Sequence, residues 1–276
     1  MPELPEVETT RRGLMPLIGK VVTSVTIRHP TLRWPIPAHL PSSLANQTLL
    51  GLSRRAKYIL CEFGSQPTSG ILLLHLGMSG RIQLLDRNYP PEKHDHFDIA
   101  FTDGSVLRLR DPRRFGAVLW LESNKHPLLD NLGPEPLEDA FNANYLKSTL
   151  SNKTLAIKNA IMDGHVVVGV GNIYASESLF RARIHPETSA KTLTLKQCER
   201  LVAEIKNTLQ DALNAGGSSL RDFFGADGNP GYFQQEYFVY GRTGEPCKVC
   251  AKPIMCIRLG QRSTFFCANC QKRSKC

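Results

Sequence analysis

The sequence predicts an α+β protein of two domains, in which an antiparallel β domain with an N-terminal helix precedes a mainly helical domain and a metal-bound β-hairpin. Three observations support this prediction. Apolar residues alternate with a period of two in much of the first half of the chain, the period lengthens to between three and four in the second half, and two CxxC pairs lie near the C-terminus. The 276 residues suffice for two hydrophobic cores.

The first element is a helix. The chain begins MPELPEVETT, and Pro5 suits the first turn of a helix that we expect over about Pro5 to Leu17. Glu6 and Glu8 would face the positive end of the helix dipole. That explanation does not extend to Glu3.

Short strands follow the helix. The patterns are VVTSVTI from Val21 to Ile27, ILLLHL from Ile71 to Leu76, and the pair FDIAF and SVLRLR, which Asp103-Gly104 joins in a hairpin signature. We therefore expect an antiparallel sheet domain that carries one helix.

The segment LGPEPLED, from Leu132 to Asp139, marks the change between the two halves. Its two prolines and one glycine break the strand pattern, and short helical patterns follow near residues 137–150, 155–162 and 172–183. The longest helical pattern has capping-box spacing between Thr194 and Gln197 and closes at Gly216-Gly217. We place the domain boundary at this proline-containing segment.

The overall charge favours a polyanionic partner. The chain has 34 Lys and Arg against 25 Asp and Glu, a formal net charge of +9, although a mildly basic enzyme would look similar. No segment has the pattern of a secretory signal or the roughly 20 apolar residues that span a bilayer. We expect a cytoplasmic protein whose cysteines are reduced.

The two CxxC pairs predict one structural zinc ion. Sixteen residues separate Cys247 and Cys250 from Cys267 and Cys270, a spacing at which two tight turns present four thiolates to one tetrahedral ion. A redox pair or unrelated free thiols are the alternatives. Four thiolates leave no open coordination position, so the metal should support structure. The remaining cysteines lack this spacing and are expected to be bystanders: Cys61, Cys198, Cys256 and Cys276.

The same C-terminal segment supplies most of the net positive charge. PIMCIRL and STFF predict two short strands between the cysteine pairs, and residues 241–276 contain eight Lys or Arg against one acid, Glu245. A charge run is usually a solvated face. A charge excess of this size on a small rigid module favours contact with nucleic acid.

Several loop motifs remain ambiguous when each is considered alone. VVVGVGNIYASE is not a dinucleotide-binding fingerprint, because Tyr174 stands where that fingerprint needs its third glycine. The motif instead predicts a glycine turn before a helix N-terminus. Such a turn can bind a phosphate, or its glycines can be required only for steric reasons. Met78 in HLGMSGR could cover a small core or act as an apolar wedge in stacked bases. DPRRFG, KHDH and the glycine-rich stretch SLRDFFGADGNPGYFQ could be plain surface loops or ligand contacts.

Together these motifs resemble one family, the bacterial formamidopyrimidine-DNA glycosylases, which excise oxidised purines. The resemblance covers essentially the whole chain through PELPEVE, RRAKY, HLGMSG, KHDHFD, DPRRFG, VGVGNIYASE, SLRDFF to GYFQ, and QRSTFFCANCQ. It implies an N-terminal β-sandwich with a helix (residues 1–132), a helix-two-turn-helix domain with a lesion-recognition loop (133–236) and a zinc finger (237–276). It also implies that DNA lies in the cleft between domains.

The resemblance implies catalysis by the N-terminal amine. Removal of Met1 would free the secondary amine of Pro2, which attacks C1′ of the damaged nucleotide and forms a Schiff base before β- and δ-elimination cut the strand. Glu3 resembles the general acid and base, and Glu6 a supporting carboxylate. Lys57 matches the lysine of β-elimination, and Arg262 the finger arginine of phosphate binding and δ-elimination.

The resemblance also implies DNA contacts. Met78, Arg113 and Phe115 match the residues that fill the space left by the extruded nucleotide. The expected contacts to the phosphate backbone are His94, Lys158 and Asn172, with Lys153 as an additional contact, although the spacing between the two lysines varies in the family. The lesion-recognition loop spans Ser219 to Tyr232 and includes Arg221 and Phe224. The implied partner is double-stranded DNA with oxidised purines or abasic sites, bound by a monomer in the cytoplasm near the nucleoid.

Three other functions are compatible with parts of the sequence. Endonuclease VIII has the same amine chemistry and prefers oxidised pyrimidines, but it usually opens with PEGPE and lacks the three wedge residues. A zinc-ribbon DNA-binding protein without catalysis would explain the basic tail but not Pro2, Glu3 or Lys57. A metal-dependent nuclease is the third alternative.

Overall fold

The computed structural model describes residues 1–65, 68–123, 125–217 and 237–273. The chain divides into two compact units, of which the first contains Met1–Asp130 and a segment that begins at Ala215, and the second contains Asn131–Asn214 and the C-terminal part. The helices are α1 (Leu4–Gly13), α2 (Leu40–Leu44), α3 (Pro127–Asp130), α4 (Ala143–Leu150), α5 (Ile157–Met162), α6 (Asn172–Arg181) and α7 (Leu195–Asn214). The strands are β1 (Val22–Ile27), β2 (Thr48–Arg55), β3 (Tyr58–Ser65), β4 (Thr68–His75), β5 (Arg81–Asp86), β6 (Asp95–Phe101), β7 (Ser105–Arg110), β8 (Ala117–Leu121), β9 (Met255–Leu259) and β10 (Arg262–Phe266).

Two four-stranded antiparallel sheets form the first unit. Their strand orders are β1-β6-β7-β5 and β2-β3-β4-β8. Inward side chains of both sheets, such as Phe97 and Leu107 from one and Phe63 and Leu72 from the other, pack in one core. Leu14 and its neighbours close the core beneath the N-terminal helix. The predicted antiparallel sandwich with an N-terminal helix is confirmed, but the unit also contains the short helices α2 and α3, which the sequence did not predict.

The N-terminal helix is shorter than expected. It ends at Gly13, and Met15–Leu17 form a separate 3-10 turn instead of the last part of a helix that reaches Leu17. Pro16 explains the break, because it has no N–H for the helical hydrogen bond and its ring clashes with the preceding turn.

The predicted hairpin has the expected register. β6 and β7 pair through Ile99 and Leu107, and Gly104 adopts a φ of +87° in the connecting turn. β4 begins three residues earlier than the apolar pattern indicated, because Thr68, Ser69 and Gly70 pair with the end of β3 although they are not apolar.

Helices dominate the second unit. α7 begins with the predicted capping box, in which the Gln197 N–H donates to Thr194 Oγ1 at 3.2 Å and the Thr194 N–H donates to Gln197 Oε1 at 2.8 Å. α4 begins at Ala143 and not near residue 137, because Asn142 caps it by accepting the Tyr145 N–H at 3.0 Å. α6 ends at Arg181, two residues early, and Arg183 takes a left-handed φ of +55°.

The two predicted strands near the C-terminus form a hairpin. Arg262 pairs with Leu259 at its tip, and Gly260 and Gln261 in the turn have φ values of +54° and +60°. Two positive φ values in succession match the right-handed twist of the flanking strands. This turn places Arg262 at the first position of β10.

Within the described residues, no helix is both long and apolar enough to cross a membrane.

Gly70 yields a prediction about the sheet that leads to the candidate site. A Cβ at this position would lie 2.2 Å from Cζ2 of Trp120, a stiff ring atom on the neighbouring strand, so we expect Gly70→Ala to lower the free energy of unfolding by about 1–3 kcal/mol. Urea denaturation followed by circular dichroism measures this.

Gly51 is the matched control on β2. A Cβ there would meet only the Glu62 carboxylate at 3.6 Å, so Gly51→Ala should change the free energy of unfolding by no more than about 1 kcal/mol. Equal unfolding midpoints for the two variants would contradict the packing argument.

Candidate active site and metal centre

The residues of the expected catalytic terminus are buried at the start of α1. Pro2 is buried, Glu3 is 2% exposed, and Glu6 is fully buried. The Glu3 N–H donates to Glu6 Oε2 at 2.8 Å, so the two glutamates form a capping box at the helix N-terminus. Glu6 therefore fixes the backbone of Glu3, beside the nitrogen of Pro2.

Glu8 takes part in ion pairs with three arginines. Its carboxylate lies 2.8 Å from Arg11, 2.9 Å from Arg12 and 3.3 Å from Arg54 of β2. Burial opposes ionisation of Glu8, but the hydrogen bonds and charges of these arginines outweigh it and lower the pKa of the carboxyl. The structure thus assigns Glu8 to attachment of the helix to the sheet, beyond the dipole effect expected from sequence.

Lys57 and His75 lie close together, the first in a turn and the second at the end of β4. Lys57 follows Ala56, whose φ is +54°, in the turn between β2 and β3, and the next residue, Tyr58, pairs with His75. Burial, with repulsion from Lys57 and Arg33, lowers the pKa of His75 to about 4. Since its Nδ1 accepts the Gly77 N–H at 3.0 Å, the proton of the neutral ring is on Nε2.

His75 did not emerge from the sequence as a site residue. Its only signal there was its position at the start of HLGMSG, directly before the glycine turn. The sequence singled out His94 instead, which is half-buried and whose carbonyl accepts the Asp111 N–H at 3.0 Å.

The expected wedge residues lie on two turns that touch. Met78 is 37% exposed and Phe115 44% exposed, and the Arg113 guanidinium lies 5.0 Å from the Phe115 ring centre. Gly77 has a φ of +63°, and a Cβ on it would lie 2.4 Å from the Phe115 backbone, so only glycine allows this approach. The cavity here measures about 580 Å³ and is lined by Met1, Leu32, Arg33, His75, Gly77, Met78, Arg114 and Phe115.

Asp111 holds the two turns together. It is fully buried, and its carboxylate accepts the Ser79 hydroxyl at 2.9 Å, the Gly116 N–H at 2.7 Å and the Arg113 N–H at 3.3 Å. The sequence alone did not indicate a role for this residue. The signal was the aspartate that opens DPRRFG, a residue type that often caps its own turn.

In the second unit, Lys158 joins two helices to the hairpin. Its buried ammonium donates to Asn172 Oδ1 at 2.5 Å, Thr264 Oγ1 at 2.8 Å and the Ser263 carbonyl at 3.4 Å. Asn172 also donates to the Ser263 carbonyl, at 3.0 Å. Lys158 thus orients Asn172, the first residue of α6, and the strand that begins with Arg262. Lys153 is partly exposed and lies 3.9 Å from Asp163.

Glu177 is a second buried charged group of this unit. Its carboxylate accepts the N–H groups of Phe238, Val239 and Tyr240 at 2.8–3.0 Å, and burial raises its pKa against the effect of these hydrogen bonds. It fixes the segment that leads into the cysteine hairpin. The sequence alone did not indicate this role, although Glu177 is the last residue of the motif VGVGNIYASE.

Four cysteines form the predicted metal centre. The sulfurs of Cys247, Cys250, Cys267 and Cys270 lie within 4.8 Å of one another, with Sγ–Sγ distances of 3.9 Å between Cys247 and Cys270 and 3.5 Å between Cys250 and Cys267. A tetrahedral zinc with bonds of about 2.3 Å needs sulfurs about 3.8 Å apart, so the cysteines fit one ion.

The hydrogen bonds of Gln271 support this centre. Its Oε1 accepts the Cys267 N–H at 2.9 Å, and its Nε2 donates to the Ile184 carbonyl at 2.9 Å. Of the other cysteines, Cys61 and Cys198 are buried and Cys256 is exposed, all outside the cluster.

Part of the sequence prediction falls outside the described residues. This applies to the loop from Ser219 to Tyr232, with Arg221 and Phe224, and to Cys276. The last described residue before the loop, Gly217, has a φ of +86°, and a Cβ on it would lie 3.4 Å from Glu6 Oε1. Gly217 therefore lies beside a candidate catalytic residue.

Comparisons with known families cover nearly the whole chain. Residues 1–118 match the formamidopyrimidine-DNA glycosylase N-terminal domain, residues 132–224 match the H2TH domain of the same enzymes, and residues 244–273 match a zinc finger found in FPG and IleRS. The zinc-finger match and the four-cysteine cluster agree on one structural zinc site.

Whole proteins are similar over the same length. The formamidopyrimidine-DNA glycosylase of Methylobacillus flagellatus is 65% identical over 99% of this chain and 97% of its own, and that of Janthinobacterium sp. strain Marseille is 53% identical over 99% and 100%. Among solved structures, a Lactococcus lactis FPG variant with Fapy-dG DNA has a TM-score of 0.91 at 35% identity over 99% of this chain and 100% of that one. A Lactococcus lactis Fpg complex with abasic-site DNA has a TM-score of 0.90 at 35% identity over 98% and 100%.

These matches include the β-sandwich unit as well as the finger, so a zinc ribbon without the catalytic domain does not describe this chain. The chain belongs to the formamidopyrimidine-DNA glycosylase family, the bifunctional glycosylases and AP lyases of base excision repair.

Proposed function

We propose that the protein removes oxidised purines from double-stranded DNA and cuts the strand at the resulting abasic site. The observation that carries this proposal is the pair Pro2 and Glu3 at the buried start of a matched glycosylase domain. The Lactococcus lactis relatives in complex with Fapy-dG and abasic-site DNA support the same substrate class. We propose further that the enzyme acts as a monomer on chromosomal DNA in the cytoplasm. Each of the three proposed segments, 1–132, 133–236 and 237–276, contributes residues of its own.

The reaction begins at the Pro2 nitrogen once Met1 is removed. An α-amine has a pKa of about 8, against about 10.4 for lysine, so a usable fraction is neutral near pH 7. Its lone pair forms the N–C1′ bond as the C1′–base bond breaks, and the departing base takes up a proton. Glu3 transfers the protons that ring opening and Schiff-base formation require. Glu6 supports it through the hydrogen bond to the Glu3 backbone.

Lys57 and His75 bind the phosphates next to the reacting sugar. Lys57 supplies the positive charge and assists β-elimination. The neutral His75 ring, whose Nδ1 is engaged with Gly77, can donate only through Nε2. A phosphate oxygen is a suitable acceptor for that proton.

The exposed side chains at the 580 Å³ cavity fill the gap that the damaged nucleotide leaves in the base stack of the DNA. Met78 and Phe115 supply apolar surface in place of the lost base, and Arg113 donates hydrogen bonds to the orphaned base on the other strand. The cost of unstacking is a few kcal/mol, which a preformed wedge offsets.

The second unit binds the phosphate backbone. The N-terminus of α6, with Asn172 held by Lys158, offers N–H groups to a phosphate. Because the Lys158 ammonium is buried, it acts here mainly through Asn172. Lys153 and His94 add peripheral phosphate contacts. Arg262, on the zinc-supported hairpin, binds the phosphate that is lost in δ-elimination. The segment Ser219–Tyr232, with Arg221 and Phe224, closes on the everted base.

The amine mechanism predicts a covalent adduct. Borohydride should trap the protein on duplex DNA containing 8-oxoguanine, because it reduces the Schiff base. An N-terminal extension that acylates the Pro2 nitrogen should abolish trapping, since an amide nitrogen has no free lone pair to attack C1′. The adduct is measured by denaturing gel electrophoresis.

The matched control carries the same extension at the C-terminus and should trap DNA like the unextended protein. Undiminished trapping by the N-terminally extended form would contradict the terminal-amine mechanism. Strand cleavage that persists in EDTA, with zinc retained, would argue against a metal-dependent nuclease.

The wedge residues predict a preference for oxidised purines. We expect 8-oxoguanine opposite cytosine to be excised faster than thymine glycol, by at least about tenfold if one specific purine contact distinguishes the bases. Single-turnover excision from matched duplexes measures the ratio. Faster removal of thymine glycol would favour the endonuclease VIII alternative.

The metal centre predicts linked loss of zinc and DNA affinity. The native protein should contain about one equivalent of zinc, and Cys267→Ser should lose the metal and bind abasic-site DNA at least about tenfold more weakly, because the hairpin that carries Arg262 loses its support. Cys256→Ser, outside the cluster, is the control and should retain both. DNA affinity that survives complete zinc loss would contradict this role.

A further inference from the structure

A histidine of the first unit contacts the arginine beside the wedge. His29 follows β1, and its Nε2 lies 2.5 Å from Nη1 of Arg114 in the turn DPRRFG. A guanidinium only donates hydrogen bonds, so Nε2 must be the acceptor and the ring must be neutral in this arrangement. Neither residue has a role in the mechanism proposed above.

The imidazole of His29 is itself held in place by packing. Its ring meets that of His96 edge to face, with centroids 5.4 Å apart at 65°. His96 Nε2 lies 3.0 Å from the Asp111 carbonyl, and the Asp111 carboxylate organises the turn that carries Arg114. His29 is therefore packed, through His96, against the base of the turn that carries the arginine it contacts.

Arg114 lies at the cavity that contains the wedge. Its backbone has a left-handed φ of +56°, uncommon for a residue with a side chain, and its N–H donates to the Asp111 carbonyl at 3.2 Å. Its exposed side chain lines the cavity together with Met78 and Phe115. An exposed arginine ordinarily samples many rotamers, and ordering it at the moment of binding opposes affinity.

We propose that His29 is a positioning residue, which holds the Arg114 guanidinium at the cavity so that its remaining donors face a DNA phosphate. The proposal rests on the proposed function. One donor is used by His29, and the planar guanidinium keeps further N–H groups for a phosphate oxygen pair. His29 improves binding by ordering Arg114 before DNA arrives, and does not touch the reacting atoms.

The ring can accept only one hydrogen bond while neutral. The Thr31 N–H lies 3.2 Å from Nδ1, whereas Arg114 lies 2.5 Å from Nε2. When the proton is on Nδ1, the ring accepts an N–H of the Arg114 guanidinium, which makes the shorter contact. The Thr31 N–H is then left to solvent. What matters at this position is thus an acceptor near Nε2, which a glutamine amide oxygen can also supply.

Binding of a duplex with a tetrahydrofuran abasic analogue tests the proposal. His29→Ala should raise Kd about two- to tenfold, the range expected when one arginine must be ordered on binding. In an Arg114→Ala background the same substitution should have no further effect. His29→Gln should restore most of the affinity, and the single-turnover excision rate at saturating protein should be unchanged.

His39→Ala, at an exposed histidine before α2, is the matched control and should bind like the native protein. Equal weakening by His29→Ala with and without Arg114 would show a general structural effect and overturn the proposal. Unchanged Kd for His29→Ala would overturn it as well. Failure of the proposed function is a separate result, because the native protein would then not cleave 8-oxoguanine DNA at all.

Discussion

Buried charged side chains that hydrogen-bond to irregular backbone hold the candidate site in place. Asp111 is fully buried and joins the turn of Met78 to the turn of Phe115. The residues of the proposed wedge lie on exposed turns, and such turns have few regular hydrogen bonds of their own. A buried carboxylate that accepts several N–H and O–H groups supplies them, and removal of one such partner costs about 1–3 kcal/mol or more.

In the second unit, buried side chains of both charge signs hold irregular segments in the same way. Lys158 donates to side-chain and backbone oxygens of α6 and β10, and Glu177 accepts three successive N–H groups before the cysteine hairpin. Each burial is costly unless all donors or acceptors are satisfied, so these contacts specify one arrangement of helix and hairpin. Zinc then fixes the far end of the hairpin. The phosphate contact proposed at Asn172 thus depends on a lysine that solvent does not reach.

The sequence predicted those features that follow from local spacing. The capping box of α7, the hairpin at Gly104 and the four-cysteine cluster all appear where periodicity and spacing placed them. The prediction that the first helix reaches Leu17 was wrong because of Pro16, a local signal that the sequence already contained. His75, Asp111 and Glu177 could not be assigned roles from the sequence, because their partners come from distant segments or from backbone groups. His29 likewise has no motif around it, and only its contact with Arg114 across 85 residues reveals it.

The position of the carboxylates explains how a basic protein can keep acids at its reactive end. A net charge of +9 attracts DNA to the protein as a whole, but phosphates would repel an exposed glutamate at the point of closest approach. Glu3 avoids much of this cost, because it caps α1, where the Glu6 N–H and the helix dipole stabilise negative charge. Glu6 is satisfied by the Glu3 N–H, and Glu8 is neutralised by three arginines. Of the three glutamates, Glu3 is the one that we propose to exchange a proton with the sugar, and its place at the helix N-terminus keeps its charge stabilised there.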